Sequence, residues 1–304
     1  MGLTMSNSTE TSPLHYQWSP WKRLNGKYPV VTDRSPLPDR NAIYVPDDWL
    51  DPEVPVDWLV SFLALIHYSP EITWLLSTFR PGDWLSRVDA KALLKLEMEK
   101  DRETLALREW LRAWIEGTPP SNVWVGSPIF SQEQADSLIP KLLAIPAVGR
   151  FLLCDPLLGP VEFTHQTMFG SACVLDEPIQ RNVGRTKTGN VKKGIHWVSI
   201  GGETGPNACP CNIDWIRSLV RQCKDAAVPV MVERLGAVPV YTAAGGFTGE
   251  EANKAIRAHW DDPNWMIPWN SPHNLSPRIT HPDGEDPSEW PHDIRIREIP
   301  EGLR

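Results

Sequence analysis

The sequence predicts a single α/β domain built on a partial TIM-like barrel of parallel strands. Short apolar segments alternate along the chain with longer segments of helical periodicity, and this alternation is typical of parallel strands joined by right-handed crossovers. Acidic residues follow two of the apolar segments, at Asp155 and Glu203. Barrels of this class place their polar site residues at the carboxyl ends of the strands, so the acids support the same fold.

Six apolar segments are predicted to be the strands of this barrel, and three segments between them are predicted helices. The strands are Ala42–Val45, Ile72–Thr78, Asn122–Ser127, Gly149–Cys154, His196–Ile200 and Val228–Val232. The helices are Val56–Tyr68, Gln132–Leu143 and Asn212–Ala226, the last with Asn212 as its N-cap. Each helix places apolar residues on one face, which is the pattern expected of a helix packed on a sheet.

Three regions lie outside the minimal barrel, which we assign to residues 41–246. Residues 1–40 are polar and rich in proline, and we predict an N-terminal extension. Residues 89–117 are highly charged and helical in pattern, and we predict an insertion that packs on the barrel through residues such as Leu94 and Met98. Residues 247–304 are rich in loop-forming residues, and we expect a C-terminal extension packed on the barrel.

The net charge, the cysteine spacing and the lengths of the apolar runs argue against several classes of function. The chain has 304 residues and a net charge of -8, which argues against non-specific wrapping of nucleic acid. Its five cysteines lack the spacing of a secreted disulfide framework, so we expect a reducing, cytoplasmic environment. No apolar run is long enough to span a bilayer, and we expect no membrane partner.

Five motifs occur in order along the chain and together show a family resemblance. They are Ser77–Pro81 (STFRP), Asn122–Asp136 (NVWVGSPIFSQEQAD), Arg150–Pro160 (RFLLCDPLLGP), Gly201–Pro210 (GGETGPNACP) and Val230–Gly236 (VMVERLG). This set resembles a bacteriophage family of unknown function, the gene-product thirty-seven/sixty-eight proteins, which look related to radical-SAM enzymes. The resemblance runs from Asn41 to Gly236, with a weaker echo at Asp293–Pro300 (DIRIREIP). It implies a phage-encoded barrel protein in the cytoplasm of a bacterial host.

The chain departs from the family pattern at charged positions of these motifs. Phe79 stands where the family has lysine, Phe130 where it has glutamate, and Glu233 where it has lysine. Asp155 replaces a glutamate and Cys209 replaces an arginine. A site that holds an anionic cofactor would lose electrostatic complementarity through such changes, so they favour a barrel frame whose chemistry has changed.

The largest departure concerns cysteine. Family members carry a three-cysteine motif near the N-terminus, of the kind that holds an iron–sulfur cluster and leaves one iron free for S-adenosylmethionine. Residues 1–153 of this chain contain no cysteine, and the first is Cys154. We therefore expect no cofactor, neither an iron–sulfur cluster nor S-adenosylmethionine.

The predicted barrel brings a set of charged residues to one rim. Arg80, Asp155, Glu203, Glu233 and Arg234 all follow or end predicted strands. Glu203 and Asp155 are the candidate catalytic carboxylates, for acid–base chemistry or for a hard metal. The candidate ligand-binding residues at this rim are Arg80, Gly201, Gly202 and Arg234. The alternative is that these charged residues pair with one another in structural ion pairs and bind no ligand, because buried charges must be paired.

Two further features are weaker candidates. Cys209 and Cys211 form the one close cysteine pair, but a zinc or iron site needs three or four ligands, so we expect no metal there and treat free thiols as the default. Residues 181–193 are basic and contain no acid; a loop of this kind can hold the phosphates of a nucleotide or nucleic acid, or can simply be exposed. Its cations are Arg181, Arg185, Lys187, Lys192 and Lys193.

Three functions remain open from the sequence. The first is a diverged barrel protein, without the cluster, that binds a nucleotide, a nucleic acid, or a phage or host protein through its former active-site rim. The second is an enzyme with non-radical chemistry on a nucleoside or nucleic acid, with Glu203 and Asp155 as its carboxylates. The third is a structural or assembly protein, which a rim plugged by Phe79 and Phe130 would favour. The sequence leans away from catalysis without deciding the question.

Overall fold

The computed structural model describes residues 12–15, 17, 19, 42–98, 103–164, 194–240 and 279–303. Six of its strands form one parallel sheet, in which the spatial order of the strands follows their order along the chain. This sheet curls into a half-barrel with helices on its outer face, and it confirms the predicted partial barrel of parallel strands. A consecutive order arises because each crossover returns to the next position with the same hand.

The strands of the main sheet are β1 (Ala42–Val45), β2 (Thr73–Ser77), β3 (Val123–Pro128), β4 (Gly149–Cys154), β5 (Trp197–Gly201) and β7 (Val230–Arg234). Two short strands, β6 (Cys211–Asn212) and β8 (Pro239–Val240), form a separate parallel pair. The helices are α1 (Val56–His67), α2 (Leu94–Met98), α3 (Glu103–Ile115), α4 (Gln132–Ala144) and α5 (Ile213–Asp225).

The two faces of the sheet have different cover. Side chains alternate along a strand, so each strand contributes to both faces. The outer face packs against α1, α3, α4 and α5 in one continuous apolar core. The inner face packs against short segments from both ends of the chain, through Leu14, Ile299 and Leu303. Its buried side chains are mostly large: Tyr44, Leu75, Trp124, Phe151, Leu153, Trp197 and Met231.

The connection between β2 and β3 contains a π-helical segment, Leu85–Leu93, followed by α2 and α3. It packs through a tryptophan cluster in which the rings of Trp49 and Trp114 stack with centroids 6.0 Å apart. Leu94 and Met98, expected from the sequence to be available for packing, are instead 53% and 76% exposed. The i→i+5 turns of the preceding segment shift the helix face away from the 3.6-residue spacing on which that expectation rested.

The C-terminal segment runs antiparallel beside β7. Arg297 bridges to Met231, and the amide of Val232 donates to the Ile296 carbonyl at 2.8 Å. The Trp197 indole donates to the Glu298 carbonyl at 2.9 Å, which ties this segment to β5 as well. Residues 279–303 therefore border the sheet and help to cover its inner face. Within the described ranges no helix has the length and hydropathy needed to cross a membrane.

Candidate functional site

The carboxyl ends of the six parallel strands lie along one edge of the sheet, called here the carboxyl edge. Asp155 follows β4 and Arg234 ends β7, with β5 between them. The two side chains meet across β5, with Arg234 Nη2 2.5 Å from Asp155 Oδ2. Two residues that are 79 positions apart in sequence thus form a direct, hydrogen-bonded ion pair at the predicted rim.

The double glycine after β5 makes room for this pair. A Cβ on Gly201 would lie 2.6 Å from Asp155 Cγ, a distance that real Cβ atoms essentially never show. A Cβ on Gly202 would lie 2.2 Å from the Leu235 carbonyl oxygen. Gly201 and Gly202 thus permit close approach of Asp155 and of the chain after β7, and their role in ligand binding stays a prediction.

Burial makes the Asp155 carboxyl group a weaker acid than an exposed aspartic acid. Its side chain is 17% exposed, and desolvation raises the pKa of its carboxyl group from 3.8 to about 6. Arg234 opposes this rise and Glu233 adds to it. Because removal from water penalises the charged form, Asp155 can both gain and lose a proton near neutral pH.

Arg234 keeps hydrogen-bonding capacity beyond Asp155. Its Nη1 atom lies 3.6 Å from Glu285 Oε1, which is too long for a hydrogen bond. Its buried Nε atom has no hydrogen-bond partner among the described residues. The Arg234 side chain is 27% exposed, so a ligand can reach its terminal N–H groups but not the buried Nε.

Glu233, predicted at the rim, is buried on the inner face next to the pair. It accepts a hydrogen bond from Ser199 Oγ at 3.2 Å, and Arg297 Nη2 lies 3.8 Å from its Oε2. Arg297 was missed from the sequence because it lies 63 residues beyond β7, although the motif echo at Asp293–Pro300 contains it. Tyr44, also missed, hydrogen-bonds with Ser77 on the same face, and burial raises its pKa to about 12.

Glu203 has a local partner. Its Oε2 atom accepts a hydrogen bond from the Cys209 amide at 2.7 Å, and hydrogen bonding to Cys209 lowers the pKa of the carboxyl group. The Glu203 carboxylate is therefore bonded within its own loop, while its carbonyl accepts from the Ala237 amide at 2.8 Å. No described contact joins Glu203 to Asp155. A catalytic role for Glu203 stays a prediction from the sequence.

Arg80 lies at the same edge, after β2, and is half exposed. Its closest acid is Asp83, at 3.8 Å, and no described contact joins it to Asp155 or Arg234. Its neighbour Phe79 is 46% exposed and meets Phe130 edge-to-face, with ring centroids 5.8 Å apart. Arg80 is therefore a cation next to the Phe79–Phe130 ring pair, and no described contact joins it to the ion pair.

The cysteines do not assemble into a metal centre in the described part of the chain. Cys211 is buried, and burial raises its pKa to about 12, whereas Cys209 is exposed. The described residues include no group of three or more His, Cys, Asp or Glu side chains placed to hold a metal. The basic residues Arg181, Arg185, Lys187, Lys192 and Lys193 lie outside the described ranges, so the phosphate-binding loop stays a prediction.

A cavity of about 370 Å³ opens at the opposite edge of the sheet, where β7 begins. Val228, Pro229 and Ile299 line it, together with the ion-paired side chains of Lys224 and Glu298. It is separate from the Asp155–Arg234 pair, because one lies at the amino end of β7 and the other at its carboxyl end. None of the candidate site residues lines this cavity.

Fold and site together define a class: a consecutive parallel half-barrel with a buried carboxylate–guanidinium pair at its carboxyl edge. Residues 10–265 match the model of a family described as a protein of unknown function, DUF5131, and the chain belongs to that family. The match extends beyond residues 41–236, on which the motif resemblance rests, at both ends. No curated protein and no solved structure gave a match.

Proposed function

We propose that this chain is a phage-encoded, radical-SAM-like barrel protein that binds a nucleotide or nucleic acid at its carboxyl edge, without cluster chemistry. The resemblance of its motifs to phage proteins supports the origin. Cysteines without disulfide spacing, and free where the structure describes them, support a role in the bacterial cytoplasm. The half-barrel supports the position of the site, since this architecture binds ligands where its strands end.

The Asp155–Arg234 pair is the observation that carries the proposal. It sets a hydrogen-bond acceptor beside a guanidinium that is 27% exposed and whose Nη1 group lies 3.6 Å from the nearest described carboxylate oxygen. Nucleobase edges present matching combinations: arginine pairs with the acceptors of guanine, and carboxylates accept from amino groups. The pair stands near Glu233 and Glu285, so the described site is net acidic and suits a neutral base better than a phosphate. The predicted basic loop 181–193 would supply the phosphate contacts.

Radical chemistry is not part of the proposal, because the thiolates it needs are missing. A cluster of the radical-SAM type requires three cysteines at fixed spacing, and residues 1–153 contain none. Cys154, Cys211 and Cys223 are buried, and burial raises the pKa of each thiol. These side chains do not fit a cluster that must also be open to a second ligand.

The binding proposal is tested by titrating the purified protein with mononucleotides, single-stranded oligonucleotides and duplexes of the same sequence. We expect Arg234→Ala to weaken binding at least tenfold, because it removes the open donors and leaves Asp155 unpaired. Arg221→Ala is the matched control: it removes an exposed arginine on the helix α5 with the same change of charge. Equal affinities of the two variants, or no binding by the wild type, would overturn the proposal.

A second candidate, a non-radical enzyme acting on a nucleoside or nucleic acid, is favoured by one observation. Asp155 has a pKa of about 6, in the range that suits a general acid or base near neutral pH. The test is product analysis by mass spectrometry after incubation with nucleosides and oligonucleotides. A rate that changes near pH 6 in the wild type and vanishes in Asp155→Asn would support it.

A further inference from the structure

Three exposed or half-buried apolar side chains follow three neighbouring strands at the carboxyl edge. Phe79 follows β2, Phe130 follows β3 and Leu158 follows β4, and these strands are adjacent in the sheet. Phe79 is 46% exposed and Leu158 is 43% exposed, while Phe130 is half-buried. These three residues form what we call the apolar patch. Rings that plug the rim would be buried, whereas Phe79 is exposed and Phe130 only half-buried. The apolar patch therefore does not plug the carboxyl edge.

The patch is held in place by main-chain hydrogen bonds. The Phe79 amide donates to Asp48 Oδ2 at 3.0 Å. The Phe130 amide donates to Gln134 Oε1 at 2.7 Å, and the Phe130 carbonyl accepts from the Leu158 amide at 3.0 Å. Backbone that is fixed in this way presents apolar surface at little further cost in conformational entropy, which favours binding.

The patch and the ion pair belong to the same edge. The chain from Asp155 to Leu158 runs along it, because the Leu157 amide donates to the Gly201 carbonyl and the Leu158 amide to the Phe130 carbonyl. Three peptide units separate the Cα atoms of Asp155 and Leu158, so these atoms are at most about 11 Å apart. The Leu158 end of the apolar patch therefore lies near Asp155, and the Phe130 backbone is hydrogen-bonded to that of Leu158.

We propose that the apolar patch stacks an unpaired nucleobase. A base has an apolar π-face and a polar edge, and the carboxyl edge offers both complements: Phe79 and Phe130 for the face, the Asp155–Arg234 pair for the edge. Arg80, whose ion pair with Asp83 is long at 3.8 Å, can turn to a phosphate of the same ligand. This inference rests on the proposed function and names its ligand chemistry. Paired bases are excluded, because their faces are covered within the duplex.

The test is fluorescence anisotropy with a short labelled oligothymidine, competed with thymidine monophosphate to separate a single strand from a free nucleotide. We expect Phe79→Ala and Phe130→Ala each to weaken binding by about 5- to 150-fold, the range typical of one stacked base. Phe79→Trp should bind as tightly as the wild type. Tyr68→Ala is the matched control, because it removes an exposed aromatic ring after α1, at the opposite edge.

An abasic strand of the same length is the complementary probe. It keeps the phosphates and lacks the bases, so we expect it to bind more weakly than oligothymidine and to be insensitive to Phe79→Ala. If Phe79→Ala and Tyr68→Ala bind alike while Arg234→Ala weakens binding, stacking is wrong and the proposed function stands. If the wild type binds no probe, both fail. Equal binding of the duplex, or of the abasic strand, would also overturn stacking.

Discussion

At the scale of single residues, the carboxyl edge is organised around one buried carboxyl group. Asp155 loses water on entering the fold and gains one direct cation among the described residues, Arg234, while Glu233 and Glu285 add negative charge. The balance of these effects favours the protonated form, because the desolvation cost exceeds the attraction to Arg234. The same residue that can bind or donate to a ligand therefore carries a cost in stability.

This cost predicts a pH dependence. Between its ordinary pKa of 3.8 and its folded pKa of about 6, the native state holds a proton that the unfolded chain has lost. Ionisation of Asp155 therefore lowers the free energy of unfolding as pH rises from about 4 to about 6, by at most about 3 kcal/mol. Urea denaturation of the wild type and Asp155→Asn across this range measures it. The wild type should lose stability relative to the variant as pH rises; a constant difference would contradict the raised pKa.

The sequence predicted which residues lie at the carboxyl edge but not which partners they meet there. Asp155 and Arg234 could be predicted because each lies at the end of an apolar run, where parallel strands place polar residues. Their contact across β5 depends on strand order, and the local bond of Glu203 to Cys209 depends on the shape of its loop. Arg297 reaches Glu233 from a segment 63 residues beyond β7, and its place beside β7 is not encoded in that segment. Such contacts leave no pattern in a single sequence.

At the scale of elements, the six strands of the main sheet were predicted to within two residues because both faces of the sheet are buried, whereas the short strands β6 and β8 were not predicted. A strand covered on both faces is a continuous apolar run with clear ends, and β1 and β4 match their predicted bounds fully. The region 89–117 was harder. Its π-helical start and the exposure of Leu94 and Met98 follow from tertiary packing around Trp49 and Trp114, which helical periodicity does not encode.

The predicted cap of the helix α5 can be tested directly. Asn212 accepts a hydrogen bond from the Asp214 amide at 2.9 Å, which confirms the cap expected from the sequence. Asn212→Ala should lower the free energy of unfolding by about 1 kcal/mol, since it leaves that amide unsatisfied, whereas Asn212→Asp should retain stability. Asn207→Ala, at an exposed asparagine in the preceding loop, is the control for thermal or urea denaturation. Equal losses in the two alanine variants would argue against the cap.

At the scale of the whole molecule, a half-barrel has two open edges and an inner face that needs cover. β1 forms an isolated bridge between Tyr44 and Gln17, and β7 pairs with the segment around Arg297. Unpaired strand edges promote association between chains, so covering them keeps the sheet from pairing with a second copy. Segments near residues 12–17 and 294–303 thus cover the two outer strands and the inner face, although they contribute no strand to the sheet.

Removal of the C-terminal segment should therefore weaken the whole domain. Deletion of residues 294–304 takes away the buried side chains of Ile294, Ile299 and Leu303, and exposes Met231 and Trp197 on the inner face. At about 1.5 to 3 kcal/mol for each buried side chain, the free energy of unfolding should fall by at least about 4 kcal/mol. Urea denaturation and binding of a dye specific for apolar surface measure the effect. Leu105→Ala, at a 40% exposed leucine, should change little. A deletion variant as stable as the full chain would mean that the half-barrel holds its inner face without this cover.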